Sequence, residues 1–160
     1  MPEKFSTIGG WVIFDEDPEG GGKVGYWTVS EVVRDPCSAS PHPMDAGSTV
    51  EELAAAFQRQ RLTRVTAPVP VTVDGYKGLF LELRVPQGID FAVCAAYNVW
   101  ESDPAGARHM ESPGQFDRLW MLDVEGDVVV LTVSADLDVP KSAIDQLTDM
   151  VESVDFIARD

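Results

Sequence analysis

Residues 117–125 read DRLWMLDVE, Gly126 follows, and residues 127–134 read DVVVLTVS. Both runs are rich in β-branched, aromatic and aliphatic residues and meet at a glycine, the pattern of two antiparallel strands joined by a turn. Pro140 then opens a helical pattern in which Ala143, Ile144, Leu147, Met150, Val151 and Val154 recur on one stripe. A hairpin followed by a helix with one apolar face, and then by a short closing strand, predicts an α+β layer fold in which the helix covers the sheet.

Upstream of this stretch, residues 8–14 (IGGWVIF) and 24–33 (VGYWTVSEVV) read as strands joined by an acidic connection, DEDPEGGGK. Residues 34–47 (RDPCSASPHPMDAG) read as an irregular loop. Ser48 stands three residues before Glu51, a capping-box spacing, and Val50, Leu53, Ala54 and Phe57 follow at helical intervals. Asp74-Gly75 between two strand-like runs predicts a tight hairpin. Its second strand should place Leu79, Leu81, Leu83 and Val85 on one face and Phe80, Glu82 and Arg84 on the other. Residues 91–100 read as one more strand, and residues 102–115 (SDPAGARHMESPGQ) as a long loop. Hairpins dominate this order, so a mostly antiparallel β-sheet packed by two helices is expected. A doubly wound parallel sheet would need strand–helix alternation throughout.

At 160 residues the chain fits a single α+β domain spanning 1–160. Its 44% hydrophobic and 24% charged content is that of a globular protein, and no apolar run approaches the roughly 18 residues a spanning helix needs. The net charge of −15, from 12 Lys and Arg against 27 Asp and Glu, argues against nucleic acid as a partner and against docking on anionic lipid. The opening MPEKFSTIGGW carries no secretory leader, so the expectation is a cytoplasmic protein or a segment of a longer precursor. Cys37 and Cys94 fit no zinc or redox spacing. They are either two buried thiols or a disulfide whose chain-entropy contribution is roughly 4 kcal/mol.

Little in the chain has the spacing of a reaction centre. There is no GxSxG elbow, and His42 and His109 fall in different loops. Gly20-Gly21-Gly22-Lys23 lacks the P-loop interval. Asp15, Asp17 and Glu19 with Gly20 mimic the start of an EF-hand loop, but Tyr26 stands where the bidentate Glu belongs. No catalytic residue, metal site or cofactor is therefore assigned. The best candidate for a ligand site is a cleft lined by Trp100 and Tyr97, with Arg108, His109, Gln115, Asp117 and Arg118 supplying its polar groups. Strand aromatics are more often core, and Arg118 with Glu82 reads first as a cross-strand ion pair, with a ligand-facing pair as the alternative.

Gly10-Trp11, residues 25–29 (GYWTV), Asp35-Pro36-Cys37, residues 48–53 (STVEEL), residues 71–78 (VTVDGYKG), Asp90-Phe91 with Cys94, Pro113-Gly114-Gln115 and residues 117–120 (DRLW) form a set. This set resembles a family of uncharacterised bacterial envelope domains across nearly the whole chain. The order of elements is similar, more distantly, to the PsbP-like fold, also seen in LpqN-type lipoproteins. The resemblance implies that Cys37 and Cys94 pair and that the domain works outside the cytoplasm beside a membrane anchor this chain lacks; with no long apolar run, no direct membrane insertion by this chain is expected. It further implies a role in binding or assembly and transfers no catalytic residue. The functional expectation is a non-catalytic extracytoplasmic sensor or accessory domain recognising a partner protein or a small ligand. The alternatives are a small hydrolase using His109 with Asp117 in the 102–118 loop, or a purely structural assembly domain.

Overall fold

The computed structural model describes residues 5–8, 11–14, 22–103 and 106–157. In chain order the elements are β1 (Phe5–Ile8), β2 (Trp11–Phe14), β3 (Lys23–Trp27), β4 (Val29–Val33), β5 (Pro43–Asp45), α1 (Val50–Gln58), β6 (Arg64–Val65), β7 (Val69–Val73), β8 (Tyr76–Arg84), β9 (Asn98–Ser102), β10 (Gly106–His109), β11 (Phe116–Val124), β12 (Asp127–Ala135) and α2 (Lys141–Glu152). The acidic stretch 15–21, which holds the acids of the calcium-loop look-alike and the first two glycines of the P-loop look-alike, lies outside the described residues, as does the side chain of Trp11.

The C-terminal hairpin forms as its residues predict. Val124 pairs with Asp127 across a two-residue turn in which Glu125 and Gly126 both have positive φ, 58° and 96°. That turn carries the right-handed twist two strands need, and the Asp123 carboxylate accepts the Gly126 N–H at 2.9 Å. Asp74 and Gly75, at φ 48° and 78°, close β7 onto β8 in the same way. β8, β11, β12 and β3 then form the centre of a large sheet ordered β1-β2-β3-β12-β11-β8-β6, with β7 also paired to β8. A smaller sheet runs β10-β9-β4-β5. Every pairing among the described residues is antiparallel.

Strand alternation gives the large sheet two apolar faces. Leu81, Leu83, Leu119, Met121 and Val130 pack against α1 and against Val32, Val99 and Trp100 of the small sheet. Phe116, Trp120, Leu122, Val129, Leu131 and Val133 pack against Ala143, Leu147 and Val151 of α2. The molecule is therefore α+β in three layers: the small sheet with α1, the large sheet, and α2. Burying both faces of the central strands is the main stabilising term, about 25 cal/mol for each Å² of apolar surface removed from water.

Several expectations change in detail. Residues 8–14 are not one strand: β1 and β2 pair antiparallel, with Ile8 across from Trp11. Residues 24–33 are not one strand: Thr28 divides β3, in the large sheet, from β4, in the small one. Residues 34–47 contain β5, and residues 102–115 contain β10. The strand expected at 91–100 is a single 3-10 turn, Phe91–Val93, followed by β9.

The cap of α1 is Thr49 with Glu52, one residue later than the Ser48–Glu51 reading. Adjacent Ser-Thr and Glu-Glu doublets satisfy both registers. The later one brings the N–H groups of Ser48 and Thr49 to Glu52 Oε2, at 2.6 and 3.2 Å, and these hold the Glu52 carboxyl below its ordinary pKa. Among the described residues no closing strand follows α2; Phe156 instead donates its N–H to Asp74 Oδ2 at 2.7 Å and sets its ring edge-on to Tyr76. Cys37 and Cys94 are joined, tying the loop after β4 to the turn before β9.

Candidate functional site

The seven residues expected to line a cleft are spread over the interior between the sheets, the opposite face of the large sheet, the exposed side of the small sheet and the 112–115 loop. Trp100, on β9, is fully buried, its ring edge-on to Trp27 at 5.4 Å and to Phe57 at 5.8 Å between centroids. Tyr97 is buried as well, its hydroxyl 3.1 Å from Thr63 Oγ1, and burial pushes its phenol pKa up. Both aromatics belong to the buried cluster between the sheets, Trp100 against Phe57 of α1, and they form no cleft wall.

Arg108 and Asp117 meet in the interior. Arg108 Nε and Nη2 donate to Asp117 Oδ2 and Oδ1 at 2.8 and 2.7 Å, a bidentate pair between β10 of the small sheet and β11 of the large one. The Asp117 side chain is 0% exposed and that of Arg108 only 8%. Arg108 also donates to the His109 carbonyl, and His109 Nδ1 meets Asn98 Oδ1 on the exposed side of the same strand pair. Gln115 folds its own loop: its Oε1 accepts the N–H groups of Glu111 and Ser112, at 2.6 and 3.3 Å. Arg108, Asp117 and Gln115 thus hold strands and loop together, and the acid–base couple that a hydrolase would draw from His109 and Asp117 does not form.

Arg118 points the opposite way from Asp117, as neighbours on a strand must. It lies directly across from Glu82, its Nε 3.4 Å from Glu82 Oε2, and its Nη1 donates to Thr148 of α2 at 3.2 Å. Glu82 also takes Arg84 Nη2 at 2.9 Å. Arg84 in turn stacks over the Phe116 ring at 4.5 Å and donates to the Gly114 carbonyl at 3.2 Å. This polar row runs to the sheet edge, where Arg64 of β6 sits directly across from Arg84.

Sequence reasoning missed Arg64 and Arg84. They open onto a hollow of about 500 Å³ at the end of β8, with Val85, Pro86, Gln87 and Gly88 as its other walls. A signal was available: the chain carries 27 acids, yet none lies between Glu52 and Asp74, a stretch that holds Arg59, Arg61 and Arg64. A second hollow of about 490 Å³ lies beside the start of α1, where Thr49, Lys77, Leu79 and Asp123 meet. Among the described residues no group of three His, Cys, Asp or Glu could hold a metal ion, and no helix is long and apolar enough to cross a membrane. A scan against protein-family models, a search of curated proteins and a search of solved structures each returned no match.

Proposed function

We propose that this chain is a non-catalytic binding or accessory module of PsbP-like type that works outside the cytoplasm and recognises a partner protein or a small ligand. The observation that carries the reading is the hollow of about 500 Å³ at the end of β8, which Arg64 and Arg84 line. Concave sites with a few placed polar groups are where ligands bind. The groups that could run acid–base chemistry in the 102–118 loop are engaged in holding the fold: both Asp117 oxygens accept from Arg108, and His109 meets Asn98. The antiparallel sheet with helices on both faces supports the PsbP-like comparison, and the Cys37–Cys94 bond supports an oxidising compartment.

Thermal-shift titration against a panel of anionic, neutral and cationic small ligands, run beside ester and phosphoester hydrolysis assays, tests this. A true ligand at a hundredfold excess over its Kd should stabilise the fold by about 2.7 kcal/mol. Turnover that His109→Ala abolishes would overturn the binding reading in favour of the hydrolase. Two free thiols in cells alkylated at lysis would overturn the extracytoplasmic one.

A further inference from the structure

We propose that the Arg64–Arg84 edge of the large sheet is a binding site for the phosphate group of a small phosphate-monoester ligand. The inference rests on the binding reading above and adds the chemistry of what binds. Its first support is a conflict in the sheet. Arg64 and Arg84 are direct cross-strand partners on β6 and β8, and like charges placed so repel each other. The only acid in this part of the row, Glu82, is already shared between Arg84 and Arg118. Arg64 forms no ion pair among the described residues and is exposed. A sheet edge with two apposed cations, one shared carboxylate and an open hollow is complete only when an anion enters.

The second support is preorganisation. Arg84 is half-buried and pinned from three sides: Glu82, the Gly114 carbonyl and the Phe116 ring. The Gly114 contact is itself fixed, because the 112–115 loop is zipped to β8 through Gly114 N–H to the Val85 carbonyl and Val85 N–H to the Gln115 carbonyl, both at 2.9 Å. A guanidinium held this way loses little freedom on binding. Arg64 can close from the other side.

Charge decides the class of anion. A phosphate monoester carries roughly −1.5 to −2 at neutral pH and offers three acceptor oxygens, which matches two guanidiniums; a carboxylate would leave one of them uncompensated. A chain of net charge −15 repels anions in general, so a positive locus is required to admit one.

The test is calorimetric titration of the full chain with phenyl phosphate and inorganic phosphate, with acetate as the monovalent control. The side-chain Nε–H resonances of Arg64 and Arg84 are followed in parallel by NMR. The expected result is saturable binding that moves both resonances, weakens as salt is raised, and falls roughly tenfold or more in Arg64→Gln. Arg64 lies at an exposed edge, so this variant keeps its fold, whereas Arg84→Gln also removes contacts to Glu82, Gly114 and Phe116; Lys141→Gln, on α2, should bind as the parent does. Absence of saturation, an unchanged affinity in Arg64→Gln, or acetate binding as tightly as phosphate would each overturn the proposal. So would binding confined to vesicles of phosphatidylglycerol and phosphatidylcholine, which would assign the surface to a membrane. A neutral or cationic ligand found while phosphate fails would remove this inference and leave the binding reading standing. Turnover abolished by His109→Ala would remove that reading whatever phosphate does.

Discussion

Asp117→Ala should be among the most damaging single substitutions in this chain. The carboxylate is fully buried and takes two charge-assisted hydrogen bonds, at 2.7 and 2.8 Å, from a guanidinium that is itself 8% exposed. Removing it takes the bidentate carboxylate away from a guanidinium buried between two sheets. Breaking a buried pair from one side costs about 3–5 kcal/mol, a large share of the roughly 5–15 kcal/mol by which a domain is stable. With a urea slope of about 2 kcal/mol per molar, a loss of about 4 kcal/mol lowers the unfolding midpoint by about 2 M. Replacing both partners, Arg108→Met with Asp117→Leu, removes both charges and should recover most of that loss, because the desolvation cost disappears with the attraction. The assay is urea unfolding of parent, single and double variants at neutral pH, followed by tryptophan fluorescence. A single-variant cost below about 1 kcal/mol would refute the reasoning, since that is the scale of a solvated surface pair.

Thr49→Ala should cost about 1 kcal/mol in thermal or urea unfolding and Ser48→Ala clearly less, because Thr49 is the residue whose hydroxyl accepts the Glu52 N–H; the reverse order would return the cap to Ser48. Gly78→Ala should destabilise by about 3 kcal/mol or prevent folding, since a Cβ there would lie 1.9 Å from the Met121 carbonyl oxygen on the neighbouring strand, and circular dichroism of the expressed variant checks this. Replacing Cys37 and Cys94 together by Ser should cost about 4 kcal/mol from the 57-residue separation they close, and reductant should no longer shift the unfolding midpoint. Tyr97 has a raised pKa, so its contribution is fully present below the unfolded value of 10.0 and is lost as pH rises through the folded value. Tyr97→Phe should flatten that alkaline fall in melting temperature, and an unchanged slope would place the cause elsewhere.

Local chemistry was a good guide wherever a segment's neighbours in space were also its neighbours in sequence. Two-residue turns at Asp74-Gly75 and Glu125-Gly126 set their own strand registers, and the α2 stripe of Ala143, Leu147 and Val151 finds the sheet face beside it. The pairing of Arg118 with Glu82 was also readable, as two charges inside otherwise apolar strands. The ligand cleft was not. Trp100, Arg108 and Gln115 have the residue types of a pocket, but the same types close a core, and only the docking of the small sheet on the large one distinguishes the two.

What the sequence by itself determined, then, is the α+β class, the antiparallel hairpins and the apolar stripes, because these follow from periods of two and of about 3.6 residues that operate within a few positions. The tertiary structure alone decided that Thr28 passes the chain from one sheet to the other, that Asp117 faces Arg108, and that Arg64 comes to lie opposite Arg84. Each of these depends on which distant strand supplies the neighbour, and a backbone hydrogen-bond ladder forms equally well with any partner. The choice is made by how the buried faces fit together in three layers.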